Sequence, residues 1–156
     1  LEKLMFWTKP DLDIYEEVDN DGDFIKYGKP LLDILVDSGR NNIVLRGELN
    51  GGSLKGSGNK NNPASKEQAN IKLFGIDNIL DGIAVKAGFE EFKQITTELN
   101  LPTVPVIFNR VFETKEDLIK EANAYFKTNM VEGIVFRTLD SKTSFKFMNL
   151  EYDSKK

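Results

Sequence analysis

Met130-Val-Glu-Gly-Ile-Val-Phe-Arg137, a polar connection through Asp140-Ser141-Lys142-Thr143, and Ser144-Phe-Lys-Phe-Met-Asn149 decide how this chain is read. Two short, alternating apolar runs on either side of a polar turn are the pattern of paired strands. Alternation sends Phe145 and Phe147 into a core and leaves Ser144, Lys146 and Met148 on the other face. On the first strand Glu132 aligns with Ile134 and Phe136. A carboxylate and an amine thus start or interrupt apolar strands, where an isolated charge carries a desolvation cost. An exposed strand end accounts for Glu132 alone and a solvated sheet face for Lys146 alone. Taken together, they suit a site where a nucleotide phosphate and a metal ion offset both charges.

Outward from that stretch, composition sets the limits. The 156 residues are one domain's worth, 40% hydrophobic and 29% charged, which is ordinary for a globular protein. No apolar run approaches a membrane span and no basic-then-apolar start suggests a signal peptide, so a soluble, intracellular and cytoplasmic protein with no membrane partner is expected. There is no cysteine and no histidine. Disulfides, thiolate metal sites and Ser-His-Asp, Cys-His or His-metal chemistry are therefore excluded. What remains is carboxylates, lysines, arginines and hard cations. A net charge of −4 argues against a protein whose whole surface clamps nucleic acid, while leaving room for a local basic patch.

Taken in order, the chain opens with Met5-Phe6-Trp7, followed by Ile14 to Val18 and Phe24 to Tyr27 on either side of a turn signal at Asp21-Gly22. The acidic run Asp19 to Asp23 lacks the ligand spacing and closing glutamate of an EF-hand, so calcium is not expected there. Lys29 to Gly39 reads as a helix with Pro30 in its first turn and Gly39 ending it in a left-handed conformation. Asn42 to Leu49 is a strand with Val44, Arg46 and Glu48 on one face and Ile43, Leu45, Gly47 and Leu49 on the other. Gly47 there permits close approach by a ligand or another strand.

The Gly-, Ser- and Asn-rich residues from about 50 to 65 read as a mobile loop; Gly58 is followed by Asn59, so no phosphate-binding Gly-Lys-Ser/Thr forms. Ala69 to Ile79 is a strand on which Phe74 and Ile76 would share a face. Ala87 to Leu99 is a helix whose Phe89, Phe92, Ile95 and Leu99 belong to a core, ended by Asn100 and Pro102. Val104 to Phe108 reads as a strand. Thr114 caps a helix over Glu116 to Lys127, with Asp117 at the capping-box position.

Four of these segments resemble, in chain order, motifs of the covalent nucleotidyltransferases, on the ATP-dependent RNA ligase branch. Arg46-Gly-Glu-Leu-Asn-Gly51 is similar to the third motif, Ile71 to Asp77 to the segment that stacks on the base, Glu132 to Arg137 to the fourth motif and Ser144 to Asn149 to the fifth. DNA ligases and messenger-RNA capping enzymes share the superfamily. The resemblance implies an α+β nucleotidyltransferase (ligase adenylation domain) core of mainly antiparallel sheets with flanking helices, residues 1–156 being a single partial domain.

It also implies chemistry. A lysine attacks the α-phosphate of ATP with release of pyrophosphate, AMP passes from the lysine to an RNA 5′-phosphate, and a 3′-hydroxyl then displaces it. Lys146 and Glu132 take the catalytic roles, Lys146 neutralising the α-phosphate and Glu132 holding Mg2+ or its waters. Glu48 accepts hydrogen bonds from the ribose beside Gly47, Phe74 or Ile76 contacts the base, and Arg137 meets a phosphate.

The sequence departs from the pattern in three places. Met148 stands where a second lysine is common. Ile76 precedes Asp77 where an aromatic is expected, with Phe74 two residues earlier. No Lys-x-Asp/His-Gly lies before Glu48, and Lys26-Tyr27-Gly28 comes nearest among Lys3, Lys9, Lys26 and Lys29. The nucleophile is accordingly expected upstream of Leu1, together with a missing N-terminal segment and a possible C-terminal domain. The other readings are a non-catalytic nucleotide- or RNA-binding fragment and a DNA ligase or capping-type enzyme.

Overall fold

The structure is a computed structural model that describes residues 6–11, 14–18, 22–52 and 67–152. Most of the 50–65 loop, Lys3 and the acidic residues Asp19 to Asp21 lie outside the described residues. Strands β1 (Phe6–Asp11) and β2 (Ile14–Val18) form an antiparallel pair, followed by helix α1 (Asp23–Asp37). Then come β3 (Ile43–Asn50), β4 (Asn70–Leu80) and β5 (Ile83–Lys86), an antiparallel sheet in that order. Helices α2 (Phe89–Glu98) and α3 (Lys115–Thr128) precede β6 (Gly133–Arg137) and β7 (Ser144–Met148), which pair antiparallel as expected. The α+β architecture of antiparallel sheets with flanking helices is the one the sequence implies.

The core lies on one side of the β3-β4-β5 sheet. Leu73 and Ile71 pack with Leu31 of α1 and Leu101, while Ile76 packs with Ala87 and Ile95 of α2. Helix α1 ends as foreseen: Gly39 has φ +74°, its N–H donates to Val36 O at 3.0 Å and the Arg40 N–H donates to Leu35 O at 3.2 Å, the two bonds of a Schellman motif. Thr114 Oγ1 accepts from the Asp117 N–H at 3.1 Å, capping α3.

Four expectations are corrected. Helix α1 begins at Asp23, so Phe24 to Tyr27 are helical and Pro30 sits inside the helix, not in its first turn. The short apolar run Phe24 to Tyr27 fits the start of a helix as well as a strand; the packing of Tyr27, Leu31 and Ile34 on one core decides it. Residues 104–108 form no strand. The chain just before and at Val104 makes one isolated bridge to β4 at Leu73, whose N–H donates to Pro102 O and whose carbonyl accepts from the Val104 N–H, both at 2.9 Å.

Strand β5 was not foreseen, although Asp81 (φ +51°) and Gly82 (φ +77°) make the Asp-Gly turn that favours a hairpin. Lastly, β4 carries a bulge. Arg46 pairs with Gly75 and Gly47 with Leu73, leaving Phe74 unpaired, so the parity of β4 inverts there. Phe74 and Ile76 therefore do not share a face. Ile76 joins Ile71 and Leu73 on the core side at 0% exposure.

Candidate functional site

Two sheet faces meet at Arg137. On β3 and β4, cross-strand pairing puts Val44 with Asp77, Arg46 with Gly75 and Glu48 with Lys72, all on the face opposite the core. Gly75 makes room on this face, because a Cβ there would lie 2.4 Å from Arg46 Nη2. Arg46 Nε donates to Asp77 Oδ1 at 3.1 Å in a part-buried ion pair, and its guanidinium lies 5.7 Å from the Phe74 ring centroid. Arg137, at the end of β6, donates to the Phe74 carbonyl and places its guanidinium 5.1 Å from the same ring. It has no carboxylate partner among the described residues. Burial, and then the positive charge of Arg46, lower its proton affinity from the ordinary arginine value. An arginine remains charged even so. Two guanidinium groups on one ring, with a single carboxylate between them, leave a local positive excess that an anion relieves.

The second cluster is on β6 and β7. Val135 pairs with Lys146 and Gly133 with Met148, sharing the face that carries Arg137 opposite Ser144. Lys146 Nζ donates to Glu132 Oε1 at 2.9 Å, both side chains about half exposed. The alternation of β6 put Glu132 with Ile134 and Phe136, on the far side from Lys146. That assignment is corrected: Glu132 lies one residue before the strand and its side chain turns to the Lys146 face. Gly133 is what allows this. A Cβ at Gly133 would sit 3.1 Å from Lys146 Cε and 3.4 Å from Lys146 Cγ, so the lysine stem lies across the glycine on its way to Glu132. The opposite face is aromatic, with Phe136 stacked on Phe108 and Phe145, and Phe147 stacked on Phe126 of α3. Ile134 is buried there, but Phe145, expected in the core, is corrected to the surface at 51% exposure, since β7 pairs only with β6 and nothing among the described residues covers its outer end.

Of the residues singled out by sequence, Glu132 and Lys146 are brought into contact, and Phe74 and Arg137 are brought into contact. Glu48 stands exposed on the β3 face that also bears Arg46, with no ion pair among the described residues. Gly47 admits a strand: a side chain there would meet Ile71 Cγ2 and Lys72 O, each at 2.9 Å. Ile76, wholly enclosed, offers no surface to a base. Arg46, Gly75, Asp77 and Gly133 were not singled out for the roles they play here. For the first three the signal was cross-strand pairing, invisible until the bulge is placed.

No cluster of three or more metal-ligating side chains occurs among the described residues. A magnesium ion needs no such cage, since one or two carboxylates together with nucleotide phosphates and water complete its octahedron. Glu132, exposed and held only by an exposed ion pair worth at most about 1 kcal/mol, fits that role.

The fold is similar to that of solved RNA ligase structures. An RNA ligase from Naegleria gruberi, solved with pyrophosphate, superposes with a TM-score of 0.68 at 21% identity over 97% of this chain and 47% of its own. A mutant of that enzyme with AMP and manganese gives 0.68 at 23% identity, covering 97% and 48%, and another with ATP and manganese gives 0.67 at 23%, covering 97% and 47%. The chain thus spans about half the length of these structures. No protein family and no curated protein matches the sequence. No helix among the described residues is long and apolar enough to cross a membrane.

Proposed function

We propose that this chain is the nucleotide-handling part of an ATP-dependent RNA ligase, using ATP as AMP donor and Mg2+ to activate RNA 5′-phosphate ends for joining to 3′-hydroxyls. The observation that carries the reading is the Lys146–Glu132 contact on the sheet face that also bears Arg137, which reaches across to Phe74. Phosphoryl transfer asks for charge placement above all. In this reading Lys146 leaves its weak ion pair for the α-phosphate, freeing the Glu132 carboxylate for Mg2+. Phe74 serves as the base platform, Arg137 as the phosphate partner whose local positive excess the phosphate relieves, and Glu48, beside Gly47, accepts from the ribose. Mg2+ in that position withdraws charge from the phosphates. The AMP, ATP and manganese of the Naegleria structures support a nucleotide and a divalent ion on this fold.

The second reading is a nucleotide- or RNA-binding fragment without catalysis of its own. One experiment separates the two. The full-length protein, given α-labelled ATP, Mg2+ and a nicked duplex with a 5′-phosphate on RNA, transfers label to the RNA end, and Lys146→Ala and Glu132→Ala each abolish transfer while melting like the native protein. Binding of ATP without transfer establishes the second reading, and labelling of DNA alone establishes a DNA ligase. The purified 156-residue chain should form no covalent AMP adduct on a denaturing gel. An adduct mapping to Lys3, Lys9, Lys26 or Lys29 overturns the expectation about the nucleophile.

A further inference from the structure

Asn149 is one of two buried polar residues in the described chain and lies directly after the strand that carries Lys146. Its backbone carbonyl accepts from the Tyr152 N–H at 3.1 Å, and its other three hydrogen bonds run to two segments. The backbone N–H donates to Glu132 O at 2.8 Å, and Nδ2 donates to Val131 O at 3.0 Å. Oδ1 accepts from the Glu151 N–H at 3.2 Å. One residue therefore holds the carbonyls of both Val131 and Glu132. The β6-β7 ladder is extended one step past Gly133–Met148, to the residue that bears the candidate metal carboxylate.

The pattern selects asparagine. The site needs a donor on one side and an acceptor on the other; leucine supplies neither, and aspartate presents an acceptor to the Val131 carbonyl. It also needs this anchoring, because the Glu132 side chain is otherwise held only by the exposed contact with Lys146. An exposed ion pair fixes geometry weakly, whereas a satisfied buried amide fixes it well.

We propose that Asn149 is a positioning residue that sets the Glu132 carboxylate for the divalent cation. The inference rests on the reading that Glu132 holds the metal, and its test separates the two. The quantity measured is the Mn2+ concentration that gives half-maximal ATP binding to the chain, for the native sequence, Glu132→Gln, Asn149→Asp and the double variant, with thermal melting alongside. Groups that orient a metal ligand typically change metal affinity by roughly 10- to 100-fold. Each single variant should raise the half-saturating Mn2+ concentration by a factor in that range.

The double variant should match Glu132→Gln, since a residue acting through Glu132 has nothing left to position. Shifts that multiply in the double variant overturn the proposal. So does native Mn2+ dependence in Asn149→Asp when Glu132→Gln is shifted. Native dependence in Glu132→Gln overturns the metal reading itself. If Asn149→Asp does not fold, Asn149→Ala removes the same side-chain bonds without burying a charge, and native Mn2+ dependence in that variant is equally fatal.

Discussion

Gly133→Ala perturbs the site at one methyl group, and the structure gives the size of the effect. The added Cβ would lie 2.7 Å from the Phe147 carbonyl oxygen and 3.1 Å from Lys146 Cε. The first contact is with the backbone of the neighbouring strand, so no rotamer change clears it and β6 and β7 must separate locally. Overpacking of this kind costs about 1–3 kcal/mol. At this chain length each kcal/mol lowers Tm by about 2–4 °C, so a drop of about 2–12 °C is expected. The second contact displaces the lysine stem and parts Lys146 from Glu132. That exposed pair contributes at most about 1 kcal/mol, so little of the melting shift comes from it, and its loss appears instead in ligand binding. Calorimetric titration should show Gly133→Ala binding ATP with Mg2+ as weakly as Lys146→Ala, and the double variant no more weakly than either. Native binding in a destabilised Gly133→Ala would refute the idea that the glycine serves the lysine; native melting would refute the packing argument as well.

Three further outcomes follow from particular residues. Leu73→Ala, at a core position only 1% exposed, should cost about 2–5 kcal/mol in urea denaturation. Gly39→Ala should cost about 1–2 kcal/mol through its φ of +74° and leave ATP binding unchanged, since nothing lies within 4 Å of the added carbon. The Asp140 carboxyl is held below its ordinary value by the hydrogen bond from the Thr138 hydroxyl and then by the Lys142 N–H. Because the folded value lies below the unfolded one, its contribution is present above the unfolded pKa and is lost as pH falls through the folded value. An NMR titration of Asp140 in Thr138→Val should show the carboxyl moving back up, and an unchanged titration refutes the assignment.

The β6-β7 hairpin, α2 and the Thr114 cap of α3 were legible because each depends on local pattern and capping chemistry. Phe74 and Ile76 were misread for a non-local reason: a single unpaired residue in β4 inverts parity, and only the partner strand reveals it. Glu132 was placed on the wrong face by carrying alternation one residue beyond the strand, where a terminal side chain is free to turn and Gly133 leaves it a path. The Asp81-Gly82 turn carried a readable signal for β5. Residues 104–108 are a short apolar run rich in β-branched side chains, as in a strand, but the chain pairs with β4 in one isolated bridge, Leu73 with Thr103.

The central claim is that Lys146 meets the phosphates of a nucleotide whose base lies on Phe74, and titrating ATP and then adenosine into the chain tests it most directly. A charge-assisted hydrogen bond contributes about 1.5–3 kcal/mol, which is roughly a tenfold to hundredfold preference. The native chain should bind ATP more tightly than adenosine by at least that factor, and Lys146→Ala should lose about that factor of the preference while keeping its affinity for adenosine. A Lys146→Ala chain that still prefers ATP to the native extent would contradict the account.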